Sequence, residues 1–414
     1  MIAWWLGVAL AQTPVSLTVT VPPSLDGQPP CEGIVDATVY TPDGPKVGWD
    51  VLWTRGKITA VGESVPMPKM CRVRVAEGWH VTAGLIAMGT GVGVVEVDLE
   101  SVTRDDSAGV PEAPAFRVVD AFNPRSAVVP MTRMGGITTA MVVPSGGWAS
   151  GQAAAVSLDG GAWADSVVSP HVGVVVDLHA TGSSARTWQL LHQRLEEARW
   201  FNGQADAYVA AERVGVGRTD LKAWSEVALG KVPLWIHADR ASDLEVLAKF
   251  AIDEKVRVHV LGGAEAWLVA GALAQAKVGV VLDPFVYGAG SFDQIHGAAD
   301  NAAKLHAAGV TIGLYGAELH TTRTLRQLAG NAVRGGLSHA AALAAVTSGP
   351  ATLLGLTDRG RIAEGAVADL AVWSSDPLDT PARLLDLRIA GAVVPLASRQ
   401  TALTDAWRVL PSGD

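Results

Sequence analysis

The chain moves between two rhythms of apolar and polar residues. From residue 32 to 80 short runs alternate with a period of two: Ala37–Tyr40, Trp49–Trp53, Lys57–Val61 and Cys71–Val75, parted by Gly, Pro and Asp. Such runs mark half-buried strands. Similar runs return at Ala368–Trp373 and Leu387–Gly391. Between these ends, apolar runs are followed by helical stretches. The runs lie at 81–88, 137–143, 153–157, 172–178, 232–237, 256–261, 278–283 and 310–315. Strand–helix alternation predicts a parallel sheet, and eight such units predict an α/β fold of the (β/α)8 TIM-barrel type. A doubly wound sheet competes, but no GxGxxG follows a first strand. Segment 92–134 is expected over the C-terminal mouth of the barrel. Ser242 with Glu245 reads as a capping box opening a helix over 243–254. Asn301–Ala308 and Leu325–Val333 have helical spacing, and Gly335-Gly336 stops the second.

These elements divide the chain into three parts. Residues 1–31 read as a signal peptide and spacer. Residues 32–80 and 357–405 are expected to build one composite β-sandwich, because neither end has enough strands to bury its own face. Residues 81–356 form the barrel.

Composition narrows the function. The 414 residues carry 32 Lys and Arg against 41 Asp and Glu, a net charge of −9. That balance argues against nucleic acid as a partner, since phosphate binding needs a basic face. At 49% hydrophobic and 18% charged residues the chain is a folding one. Ile2–Ala11 is an apolar run too short to span a bilayer, so no transmembrane segment is expected. Ala9-Leu10-Ala11 has the small-x-small form of a signal-peptidase site, which predicts export to a periplasm or beyond the cell. No Lys or Arg precedes Lys46, so a buried N-terminal element is the competing reading. Cys31 and Cys71 are the only cysteines, and their spacing suits no thiolate metal site. In an oxidising compartment they can pair as a disulfide; otherwise they are two buried thiols. No GxSxG elbow, HExxH or P-loop lysine motif occurs.

Five stretches, in order, resemble the amidohydrolase superfamily and within it the imidazolonepropionase-like branch. They are Gly56–Gly62, His80–Ile86, Val232–Ala238, Thr347–Leu356 and Gly360–Leu370. The resemblance implies a barrel with one or two divalent metals, such as zinc, at its mouth. The metal would supply hydroxide and polarise a carbonyl. The implied reaction is hydrolysis of a non-peptide carbon–nitrogen bond in a small molecule of the cyclic amide class.

The same resemblance exposes departures. Where strand one should end in His-x-His the chain has Gly89-Thr90-Gly91, and where strand six should present His it has Gly262-Gly263. His237 stands at the position of a strand-five ligand. Glu318 is the best match to a strand-eight Asp. The expected catalytic and metal-holding pair is therefore His237 and Glu318. His320, Asp177 and His179 are candidate substrate contacts; Asp177 and His179 differ by two and share a face. His259 is expected to point to the helix layer, if Gly262 marks the inward register. Glu96, Asp98, Glu100, Asp105 and Asp106 read as a solvated acidic run. A catalytic zinc normally needs three protein ligands, so at most one weakly bound metal is expected. Restoring Gly89→His and Gly91→His should raise its affinity if the rest of the mouth is intact. Two readings follow: a C–N hydrolase, or a non-catalytic relative that binds a ligand or partner. Homo-oligomerisation is left open.

Overall fold

The computed structural model describes residues 31–203, 217–288, 290–316 and 319–408. The signal-peptide reading of residues 1–30 and the candidate Glu318 lie outside the described residues.

Strands from both chain ends share one sheet. β1 (Glu32–Thr41), β2 (Gly44–Thr54), β3 (Lys57–Gly62), β4 (Arg72–Val75) and β5 (His80–Ala83) come from the first end. β14 (Leu370–Trp373), β15 (Leu384–Ile389) and β16 (Ala392–Val393) come from the second. The order is β16-β15-β14-β5-β1-β2-β3, with β4 paired to β1. β3 then bonds back toward β14: the Ile58 amide donates to the Ala366 carbonyl at 2.8 Å and the Ala368 amide to Gly56 at 2.9 Å. This return wraps the sheet around its own core of Ile34, Val51, Trp53, Val81, Leu370 and Val372. Parallel pairing of β1 with β4 puts Glu32 opposite Arg72. The residues just before them, Cys31 and Cys71, lie with Cα atoms 4.7 Å apart and form a disulfide. Arg388, itself buried, donates to Glu32 at 2.7 Å and to Asp386 at 3.0 Å, an ion pair joining the two chain ends.

The second sheet is the barrel: β6 (Leu85–Thr90), β7 (Ile137–Val142), β8 (Ala149–Ser157), β9 (Val167–Asp177), β10 (Leu234–Ala238), β11 (Val258–Gly262), β12 (Gly279–Leu282) and β13 (Ile312–Leu314). They pair in sequence order. The ends of the path meet through a loop rather than a ladder. The Ile86 amide donates to the Val346 carbonyl and the Leu314 amide to Ala345, at 2.9 and 3.1 Å.

Three expectations are corrected. The run at 81–88 is not one strand: β5 belongs to the first sheet and β6 to the barrel, with the break at Gly84. A Cβ there would lie 2.3 Å from Thr138 side-chain atoms, so only glycine lets the chain cross so close to β7. The barrel is not wholly parallel, because β8 runs antiparallel to both β7 and β9. The Pro144–Trp148 connection is too short for the helix that a parallel crossover requires. The helix expected at 243–254 spans Ala241–Glu254, and Ser242 lies inside it. Its first amide, Ala241, is capped instead by the Glu265 carboxylate at 2.9 Å. Segment 92–134 keeps to the mouth end of the barrel, because the start of antiparallel β8 lies beside the C-terminal end of β9. It runs beside the start of β8, bridging Glu112 to Ala149 and Arg117 to Gln152. Within it Asp106 is buried against Arg104 at 2.9 Å and Glu96 accepts the Ala127 amide, so these two carboxylates hold the loop together. No described helix is long and apolar enough to cross a membrane.

The disulfide closes a separation of 40 residues, which in the chain-entropy treatment stabilises the fold by about 3–4 kcal/mol. Urea unfolding of the Cys31→Ala, Cys71→Ala protein should lose an amount of that order, and reductant should then have no further effect.

Candidate functional site

Barrel strands alternate inward and outward side chains. Val174, Val176, Leu234, Ile236, Val258, Val260, Ile312 and Leu314 pack outward with the helices. Val175, Trp235, Leu261 and Val281 pack together inside. The inward register therefore carries Asp177 on β9, His237 on β10, Leu261 on β11 and Tyr315 just after β13. Asp177 and His237 are register partners on neighbouring strands. All four line a cavity at the C-terminal ends of the strands, with His179, Asp239, Gly262 and Asp293.

His237 sits between two carboxylates. Withdrawal from water lowers its pKa, and the charges of Asp177 and Asp239 oppose that shift without reversing it. Its imidazole is thus biased toward the neutral form, the state that can accept a proton. Asp177 accepts the His179 amide at 2.9 Å through one oxygen, an Asx turn that ends the strand. Asp239 accepts the Ala264 amide at 3.0 Å and the Gln294 side chain at 2.9 Å. His179 places Nε2 3.2 Å from the buried carboxylate of Asp243 and Nδ1 4.0 Å from Asp293. Arg240 holds Asp293 in a charge-assisted pair. These contacts, with the Glu265 carboxylate taking the His296 amide at 2.9 Å, strap the loop after β12 across the mouth.

The positions of the missing imidazoles have physical occupants. Gly89 has φ +63, and a Cβ there would lie 3.6 Å from the Tyr315 ring and 3.7 Å from Leu261. Gly262 has φ +114, and a Cβ there would meet the Asp239 carboxylate at 2.6 Å. The Tyr315 ring and the Asp239 carboxylate thus stand against the two glycines. Burial, reinforced by Asp239 and Asp283, pushes the Tyr315 phenol well above its ordinary pKa, so it stays protonated and able to donate.

Of the residues singled out in the sequence, the structure brings Asp177, His179 and His237 together. His320 is exposed, in the short helix Leu319–Thr324. His259 is corrected: it faces inward, its ring 4.9 Å from Trp235. It stands at the opposite end of the barrel from the mouth, where its Nδ1 accepts the Gly279 amide at 3.0 Å. The error came from assigning the inward register to Gly262 rather than to Leu261. Sequence reasoning missed Asp239 and Tyr315. Their signals were present: Asp239 lies two residues beyond His237, and Tyr315 directly follows the eighth strand.

Similarity to known proteins fits this geometry. The amidohydrolase family model matches residues 308–395. Amidohydrolase tasK of Hapsidospora irregularis is 26% identical over 407 residues, covering 83% of this chain and 40% of that protein. The chain thus spans well under half of that relative. The structure of an amidohydrolase from Thermotoga maritima superposes with a TM-score of 0.80 at 23% identity, over 88% of this chain and 99% of that one. A mutant atrazine chlorohydrolase from Arthrobacter aurescens, complexed with zinc and atraton, superposes with a TM-score of 0.53 at 18% identity, over 92% and 100%. The carboxy-terminal segment thus matches the amidohydrolase family, and the fold is similar to that of a solved amidohydrolase.

Zinc in such a relative raises the question of fit. Among the described residues no group of three or more His, Cys, Asp or Glu could hold a metal ion. Gly89, Gly91 and Gly262 offer no donor atom, and the space beside Gly262 is taken by Asp239. The described residues do not fit a binuclear centre.

Gly89→His should therefore not restore one. A side chain at φ +63 costs about 1–2 kcal/mol in backbone strain, and its Cβ would lie in contact with Tyr315 and Leu261. Zinc titration of the Gly89→His, Gly91→His protein should show no tight site, and its unfolding midpoint should fall. A tight stoichiometric zinc would refute this account of the mouth. His259 sets a second expectation. Burial lowers its pKa from 6.5 to about 4 in the folded chain. Below pH 6.5 the unfolded chain takes up the proton first, so stability present above 6.5 falls progressively toward pH 4, by about 3 kcal/mol in all. Urea unfolding at pH 7 and 4.5 should show a smaller pH-dependent loss in His259→Gln than in the parent.

Proposed function

We propose that this protein is a hydrolase of non-peptide carbon–nitrogen bonds in small molecules of the cyclic amide class, working at the barrel mouth through His237. The observation that carries this reading is the placing of His237 beside Asp177 and Asp239 in a cavity at the C-terminal ends of the strands, where barrel enzymes place their chemistry. Relationship to the amidohydrolases supports the reaction class, and the imidazolonepropionase-like sequence features favour a ring amide.

The chain's own residues supply a route. His237 takes a proton from water as the oxygen attacks the carbonyl carbon. Asp177 and Asp239 stabilise the imidazolium that forms. The Tyr315 phenol donates to the carbonyl oxygen as it gains charge. His237 then returns the proton to the leaving nitrogen as the C–N bond breaks. Glu318 stays a candidate second acid or base.

A second reading has its own support. The left-handed glycines at 89 and 262, filled against by Tyr315 and Asp239, also suit a protein that keeps the pocket to bind a ligand without turnover. Export is proposed too, supported by the Cys31–Cys71 disulfide, since such bonds persist in oxidising compartments.

A panel of hydantoins, dihydropyrimidines and imidazolones, assayed with and without chelator, separates the readings. Ring opening should occur on at least one member, and His237→Asn should lower kcat/KM by at least about 100-fold. Saturable binding with no product on any member would favour the binding protein. Full activity in His237→Asn would overturn the assignment.

A further inference from the structure

We propose that the cavity at the seam between the composite sheet and the barrel is a second ligand site, taking a small amphipathic monocarboxylate whose charged end Arg361 holds. The proposal is independent of the mouth and of any reaction there.

The cavity measures about 240 Å3, and both parts of the fold build it. Tyr40, Pro42 and Pro45 come from the β1–β2 hairpin. Leu343 and Ala344 come from the helix His339–Ala344, with Thr347 just beyond it. That second wall also closes the barrel. Leu343, Ala344 and Thr347 bracket Ala345 and Val346, whose carbonyls accept the Leu314 and Ile86 amides. The walls are preset where they meet. The Tyr40 and His339 rings, one from each part, stack with centroids 6.1 Å apart. Both are held by Asp376, which accepts the Tyr40 hydroxyl at 3.1 Å and lies 2.9 Å from His339 Nε2. An apolar cavity of about 150 Å3 suffices for benzene, so the seam has room for one ring with a short polar arm.

Charge decides the arm. Arg359 and Arg361 stand two residues apart and are used differently. Arg359 is bound to the buried carboxylate of Asp369. Arg361 is exposed, lines the cavity, and forms no ion pair or hydrogen bond with a described residue. No Asp or Glu is among the lining residues. Asp376 is consumed by Tyr40, His339 and the Leu378 amide, and is not part of the lining. Asp43, in the hairpin turn, is outside the lining too. The Ser348 hydroxyl lines the same cavity and makes no hydrogen bond to a described residue. A carboxylate can take both N–H donors of the guanidinium fork and the hydroxyl besides. The apolar body behind it lies against Tyr40, Pro45 and the buried Leu343. An ammonium ligand would meet Arg361 with no counter-charge, and a neutral amide would forgo the charge-assisted bonds. A molecule seated here touches both parts of the fold at once, so it binds the folded chain in preference to the unfolded one.

Phenylacetate and phenylacetamide share size and shape and differ by one charge, so they test this directly. Calorimetric titration of the full chain near neutral pH should show phenylacetate binding at a single site, at least about tenfold more tightly than phenylacetamide. Phenylacetate should also raise the thermal midpoint in a saturable way. Arg361→Gln should bring the two affinities within about twofold, whereas Arg361→Lys, which retains the charge, should keep phenylacetate ahead. Arg361 is exposed, so neither change threatens folding. Ala344→Leu fills part of the cavity and should weaken both ligands by at least about tenfold. His237→Asn, at the mouth, should leave phenylacetate affinity unchanged. Equal affinities in the parent, a preference that survives Arg361→Gln, or undiminished binding in a folded Ala344→Leu protein would overturn the proposal. Loss of binding in His237→Asn would place the ligand at the mouth and overturn it as well. These readouts need no turnover, so they stand or fall apart from the hydrolase reading.

Discussion

The backbone passes from one sheet into the other at a single residue, Gly84. On one side β5 pairs with β14 and β1; on the other β6 pairs with β7. The Gly84 amide donates to the Asp369 carbonyl and the next amide, Leu85, to Gly136. This crossing leaves no room for a Cβ beside Thr138. It fixes where the barrel's first strand starts and how it is phased. Phase then decides everything at the mouth, because a slip of one residue exchanges inward and outward faces.

From that phase the inner layer follows. Asp177, His237, Leu261 and Tyr315 fall on the inside near the C-terminal ends of their strands, while His259 falls on the inside at the far end. The same backbone supports two chemically different ends. The mouth is lined by carboxylates and a neutral-biased imidazole. The base is plugged by Trp235, Leu353 and the neutral His259. Active sites need exposed polar groups and scaffolds need close packing, and strand polarity separates the two along one axis.

Two glycines shape the mouth. Gly89 and Gly262 lie in backbone conformations that favour glycine, and each faces a side chain from another strand or loop. Tyr315 and Asp239 thus occupy the space beside the two glycines. The loop after β12 adds to it, strapped by Arg240, Asp239 and Glu265. The cavity that results is anionic and holds both a proton acceptor and a proton donor.

Much of this was legible in the residues alone. Period-two runs located strands at both ends, and all eight barrel strands lie within or beside apolar runs, because burial of β-branched and aliphatic side chains is a local property of sequence. The glycines at 89 and 262, where the family resemblance implies imidazoles, are readable from the chain alone. What sequence could not decide was direction and phase. The reversal of β8 depends on a short connection and on the neighbours available to it. The inward face of β11 depends on the partners of Leu261, which belong to β10 and β12. The capping of helix Ala241–Glu254 by Glu265, and the placing of Tyr315 against Gly89, join residues 24 and more than 200 positions apart. Such contacts are set by sheet register and barrel closure, which only the assembled chain determines.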